Sequence, residues 1–162
     1  GGEATVDSYE KYPELVDKHI EFLRKTNLYY VDEKNRIFMH AGFNPRVDLD
    51  KQYFIDAGQE DKSENAAFYW DRSFWELTIE SDSTPIFWDR YEEIYIGHTP
   101  TIRYDESGLP VNIGNVWNMD TGATYSGKLS IMNIDTKEIT QSDELYKLYP
   151  DPPGRNGMLL AK

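Results

Sequence analysis

Two of the three histidines stand in matching surroundings. His40 closes the apolar run Ile37-Phe38-Met39 and precedes Ala41-Gly42; His98 follows Ile94-Tyr95-Ile96-Gly97 and precedes Thr99-Pro100. Each imidazole sits where an apolar strand opens into a loop, and such strand ends face the crevice where layered α/β folds bind ligands. Neutral imidazole is a ready ligand for transition metals, and small neighbours let a metal or a phosphate approach the backbone. A strand-end histidine is equally at home as a satisfied surface or core residue, and spacing alone leaves these two readings level. His19 differs, because it falls on the apolar face of a helix and reads as a packing residue. The chain has no cysteine, which excludes disulfides, thiolate zinc sites and cysteine nucleophiles and fits a reducing compartment.

The elements that would carry these side chains follow from periodicity. Leu15, Val16, His19, Ile20 and Leu23 recur at helical spacing over 13–26, with Pro13 at a first helical position and Glu14–Lys18 and Glu21–Lys25 pairs on the polar face. Short strands are expected at 28–31 and 36–40 around the turn 32–35. A polar connection covers 43–63, a helix rich in aromatics 66–79, an aromatic stretch 85–91, and a strand 94–96. Strands at 116–120, 128–134 and 138–141, with turns at 122–127 and 135–137, complete a mixed α/β (α+β) pattern rather than strict βαβ alternation. The aromatics from Phe68 to Trp75 suit either a core or an interface.

At 162 residues the chain suits one domain, assigned to residues 1–149, followed by an irregular Pro- and Gly-rich tail over 150–162. A formal net charge of -12 argues against nucleic acid or an anionic membrane as partner. Small phosphates remain compatible, since bound dications reverse the local potential. No apolar run approaches the ~20 residues of a membrane helix, and a cytoplasmic location is expected.

Four segments give the chain a family resemblance. Phe38-Met39-His40-Ala41-Gly42-Phe43-Asn44-Pro45 resembles the "VHAG" segment of bacterial phosphoprotein phosphatases and their dinucleoside-tetraphosphatase relatives. Trp70-Asp71-Arg72 resembles "LLWxR", Ile96-Gly97-His98-Thr99-Pro100 matches "GHTP", and residues 120–129 are similar to "DTGAVYGGKLT". The start of the chain, Gly1-Gly2-Glu3-Ala4-Thr5 with Ser8-Tyr9, also looks like a stretch that follows the family's central motif. The four main segments occur in the family's order. The resemblance implies a calcineurin-like metallophosphoesterase fold, a sandwich of mixed sheets flanked by helices. It also implies a site with two divalent ions (Mn, Fe or Zn), in which His40 and His98 are metal ligands and Arg72 holds the substrate phosphate. Guanidinium grips two phosphate oxygens at once, and paired ions activate water and stabilise developing charge.

Arg90, in Trp88-Asp89-Arg90, repeats the local pattern of Arg72, but its place before the second histidine strand favours a surface role. Asp120 reads as a turn former rather than a ligand. Tyr125 reads as a core aromatic, with a place in the substrate cleft as the weaker alternative. The family's earlier motifs, "GDxHG", "GDxxDRG" and "GNHE", have no counterpart, since no Gly-Asp or Asn-His pair occurs. The chain is therefore expected to be the C-terminal half of the domain, with its N-terminal metal-binding half missing and the segment alone inactive. The expected activity of the intact enzyme is that of a protein serine/threonine phosphatase acting on a phosphorylated protein or a small phosphate ester. The alternatives are a dinucleoside polyphosphate hydrolase, or a non-catalytic binding domain if the natural chain lacks the upstream motifs.

Overall fold

Short apolar runs punctuated by Gly, Asn and Asp give most of the molecule its strands. A computed structural model describes residues 2–52, 67–81, 89–125 and 127–148. The expected tail at 150–162, most of the aromatic stretch 85–91 and the second half of the connection 43–63 lie outside the described residues. In chain order the elements are α1 (Glu3–Lys11), α2 (Val16–Arg24), β1 (Tyr29–Val31), β2 (Arg36–Met39), α3 (Ala67–Trp70), α4 (Ser73–Glu80), β3 (Glu93–Ile96), β4 (Val111–Ile113), β5 (Val116–Asn118), β6 (Lys128–Met132), β7 (Ile139–Glu144) and α5 (Leu145–Leu148). The architecture is α/β, with a five-stranded mixed sheet ordered β1-β2-β3-β5-β4 and a separate β6-β7 hairpin.

The three central strands, β2, β3 and β5, run parallel, and antiparallel β1 and β4 close the two edges. Parallel order requires crossovers. The chain from β2 to β3 carries α3 and α4, and these helices cover one face of the sheet. In register across the centre, Ile37 faces Ile94 and Ile94 faces Val116, all three with no exposed surface. They pack with Ile96 and Phe43 against Phe68, Phe74 and Trp75, the last three each 1% exposed. These helix aromatics are therefore core. Burying an aromatic side chain of this size removes ~150–250 Å² from water, so this layer dominates the packing.

On the opposite face Phe38 stacks on Tyr95 at 4.7 Å, and the tip of the β6-β7 hairpin docks beside them. Lys137, in the left-handed region at φ 62, reaches both Glu93 and the Tyr95 hydroxyl at 2.6–2.7 Å. Buried Arg36 clamps the same tip, donating to Asp135 at 2.6 Å and to Asp32 at 2.7 Å. The small hairpin is thus tied by charge to the start of β2 and β3.

Three expectations need correction. The helix read over 66–79 is two helices broken at Asp71-Arg72, because Asp71 accepts N–H bonds from Ser73 (3.2 Å) and Phe74 (2.9 Å) and starts a new helix. The helix read from 13 to 26 opens as a 3-10 turn, Pro13–Leu15, before α2. Its apolar stripe is not packed against the sheet: Phe22 is 67% and Leu23 63% exposed. His19 is accordingly no core residue, and its Nδ1 pairs with the Tyr9 hydroxyl at 3.0 Å between α1 and α2. No described helix is long and apolar enough to cross a membrane.

Candidate metal centre

Parallel β2 and β3 end side by side, so the residues that follow them emerge together. Nε2 of His40 and Nδ1 of His98 lie 3.1 Å apart, with the rings edge to face. The pairing is fixed by the backbone of the same two segments, since the Gly97 N–H donates to the His40 carbonyl at 2.9 Å. His98 itself has φ +66, and the Thr99 N–H bonds the Gly97 carbonyl at 2.7 Å across it. That i→i+2 closure around a positive φ is the rare, strained form of γ-turn. Strain of this kind costs ~1–3 kcal/mol and persists only where the surroundings over-determine it.

The surroundings do so here. Buried Asn118, at the end of β5, donates from its amide to the Thr99 carbonyl at 2.8 Å. Thr101 N–H donates to the Asp120 carbonyl at 2.7 Å. Asp120 accepts the Gly122 N–H at 3.0 Å, the turn-forming role read from sequence. Gly122, at φ +75, has the Ile102 side chain where a Cβ would stand. The loops after β3 and β5 are therefore interlocked behind His98.

Arg72 arrives by a different route. The Ala41 N–H donates to the Phe68 carbonyl at 2.8 Å, tying the loop after His40 to α3. A Cβ on Gly42 would lie 2.7 Å from Asp71 Oδ2 and 2.9 Å from Phe74 Cβ. The space that a glycine leaves at this position serves the Asp71 cap, not a metal or a phosphate. With Asp71 seated there, Arg72 follows directly in the chain. It is exposed, and its charge is felt at His98. Burial holds the His98 pKa below the usual imidazole range, aided by Arg72 and then His40. Asp120 and the Trp70 carbonyl pull the other way. Burial thus favours the neutral form of the ring, the form in which an imidazole can bind a metal.

Arg90 is not brought to this place. It precedes β3, at the opposite end of the strand from His98, and its exposed guanidinium lies 3.6 Å from Asp48. Tyr125 sits half-buried in the turn after Gly122, with its N–H on the Gly122 carbonyl at 2.9 Å. Sequence reasoning missed Trp70 as a feature of the site. Its ring meets His98 edge to face at 5.8 Å while remaining 53% exposed. The signal was available in the family-like segment Trp70-Asp71-Arg72, which carries Trp70 together with Arg72.

The arrangement suits a cation. Two nitrogens each ~2.1 Å from one ion, at angles from 90° to tetrahedral, stand about 3.0–3.4 Å apart, which brackets the 3.1 Å between His40 and His98. Nε2 of His98 is buried with no hydrogen-bond partner of its own. Among the described residues no group of three His, Cys, Asp or Glu gathers around a common point. The described residues thus bring two imidazole nitrogens together, without a third such donor beside them.

No known protein-family model matches the chain. It is distantly similar to bacterial proteins named bis(5'-nucleosyl)-tetraphosphatase PrpE (asymmetrical). The protein from Bacillus cereus (strain Q1) is 30% identical over 166 residues, covering 93% of this chain and 59% of the relative. That from Bacillus mycoides (strain KBAB4) is 31% identical over 145 residues, covering 80% of this chain and 51% of the relative. The chain thus spans between half and three-fifths of the length of these curated relatives.

Proposed function

We propose that the protein carrying this chain hydrolyses phosphoanhydride or phosphoester bonds with divalent metal, and that dinucleoside polyphosphates are its substrates. The observation that carries this reading is the convergence of His40 and His98 at 3.1 Å, with the charge of Arg72 acting on His98. The names of the relatives favour the dinucleotide over the serine/threonine phosphatase expected from the motifs. Both reactions attack a tetrahedral phosphorus, so the site chemistry is shared and only the leaving group differs. The absence of cysteine agrees with work in the cytoplasm.

Each side chain has a role on this reading. His40 Nε2 and His98 Nδ1 hold a divalent ion, one of the pair that the family resemblance implies. When bound, such ions supply Lewis acidity and make water nucleophilic near neutral pH. With Nδ1 turned to the ion, the His98 proton would sit on Nε2, which is buried and has no hydrogen-bond partner of its own. The γ-turn holds the ring in that orientation before substrate arrives. Arg72 binds two oxygens of the phosphoryl group through its planar fork and offsets charge as the bond to the leaving group breaks.

The deciding assay compares diadenosine tetraphosphate with a phosphoserine peptide, using the full-length protein and manganese. The expected outcome is a higher kcat/KM for the dinucleotide, lost in His40→Ala. A higher kcat/KM for the peptide restores the protein phosphatase reading. No turnover of either, with the metal bound, marks a binding domain.

A further inference from the structure

Trp70 is the one large aromatic of the α3–α4 pair that touches the metal centre and is still open to solvent. Its neighbours Phe68, Phe74 and Trp75 fill the core at 1% exposure each, whereas Trp70 is 53% exposed. An indole left half in water costs apolar burial that a polar residue would not. Its place is nonetheless well fixed. α3 is pinned through the Phe68 carbonyl, the Trp70 ring stands against His98 at 5.8 Å, and Tyr69 flanks it at 6.5 Å. Two residues on, Arg72 offers a cation for phosphate. A flat apolar ring against His98, and a cation two residues on in the chain, therefore accompany the pair of imidazoles. A nucleotide has that same succession: a planar base, a sugar, then phosphates.

We infer that Trp70, flanked by Tyr69, is a stacking platform for a nucleobase of the substrate. The inference rests on the proposed function for the identity of the reaction, and it adds the group that recognises the base. Stacking is tolerant of base identity, because every base presents a π-face. Adenine and guanine dinucleotides should therefore be accepted alike. A phosphoserine peptide gains nothing from the platform, since its side chain ends at the phosphate.

The test uses the full-length protein with manganese and two anhydride substrates, diadenosine tetraphosphate and inorganic tripolyphosphate, which has no base. Trp70→Ala should raise KM for the dinucleotide about tenfold more than KM for tripolyphosphate, the size of one lost stacking contact. Trp70→Phe should recover most of that loss. An equal loss on both substrates would show that Trp70 only positions His98, and no change on either would also overturn the platform. Binding of ADP, followed by quenching of indole emission in the parent and in Trp70→Phe, reads the platform without turnover. Quenching that is the same in both proteins overturns it. Should the parent turn over neither substrate yet show Trp70-dependent quenching, the reaction assignment fails and the base site stands.

Discussion

Gly42→Ala is the smallest change that should disturb the site, although Gly42 touches no substrate. The added methyl would stand 2.7 Å from Asp71 Oδ2 and 2.9 Å from Phe74 Cβ, both nearer than real Cβ contacts come. Asp71 cannot swing aside freely, because its two oxygens accept the Ser73 hydroxyl at 2.6 Å and the Phe74 N–H at 2.9 Å. Losing that cap costs about 1 kcal/mol, and crowding Phe74 in a filled core costs about 1–3 kcal/mol. The total is about 2–4 kcal/mol, or a fall in Tm of about 5–15 °C for a chain of this size. Urea denaturation of Gly42→Ala against Gly2→Ala, where nothing lies within 4 Å, would measure it. Asp71→Ala supplies the second leg of a double-mutant cycle. With the carboxylate gone, Gly42→Ala should cost only its Phe74 part, a coupling of about 0.5–2 kcal/mol. A Gly42→Ala variant within about 0.5 kcal/mol of the parent, or strictly additive costs, would refute the account of how Arg72 is placed.

Replacing His40 or His98 by alanine should strip metal from the full-length protein, as read by elemental analysis after dialysis, with far-UV circular dichroism unchanged. Arg72→Lys should lose most of kcat/KM because an ammonium lacks the bidentate fork, whereas Arg90→Lys, on a surface pair with Asp48, should be nearly silent. The Asp135 carboxyl is held down to about 2 by Lys34 first and Arg36 second. A depressed folded-state pKa adds stability that is present above the unfolded value and lost as pH falls through the folded one. The urea midpoint should therefore drop between about pH 4 and pH 2, and Asp135→Asn should remove that part of the drop.

The two histidine strands were legible because each is a short apolar run closed by a polar residue, and that pattern survives whatever packs around it. The parallel pairing of β2, β3 and β5 was not, since nothing local to Ile37, Ile94 or Val116 states which of them will be neighbours. The break at Asp71 was hidden by aromatics that keep helical spacing on both sides of it, although an Asp is itself a capping residue. β4 escaped notice because Val111–Ile113 is only three residues long and is defined by its partner β5. α1 escaped for the opposite reason. It has no buried residue, so no apolar rhythm announces it. The stripe on α2 shows the limit of periodicity, which reports that a face is apolar and says nothing of what covers it.

The chemistry of the site depends on residues that never approach a ligand. His98 can point Nδ1 at His40 only because its backbone is held at φ +66, and a peptide with this sequence in water would abandon that conformation for a relaxed one. What prevents the relaxation is a set of hydrogen bonds from outside its own strand: Gly97 to the His40 carbonyl, Asn118 to the Thr99 carbonyl, Thr101 to the Asp120 carbonyl. Each joins the end of one parallel strand to the end of the next, so the geometry of the imidazole pair is a property of the sheet rather than of either loop. It follows that a change such as Asn118→Ala, with its side chain fully buried and directed at Thr99, should act on the imidazole pair through His98. The bonds that hold this one residue at a positive φ also hold the two imidazoles 3.1 Å apart.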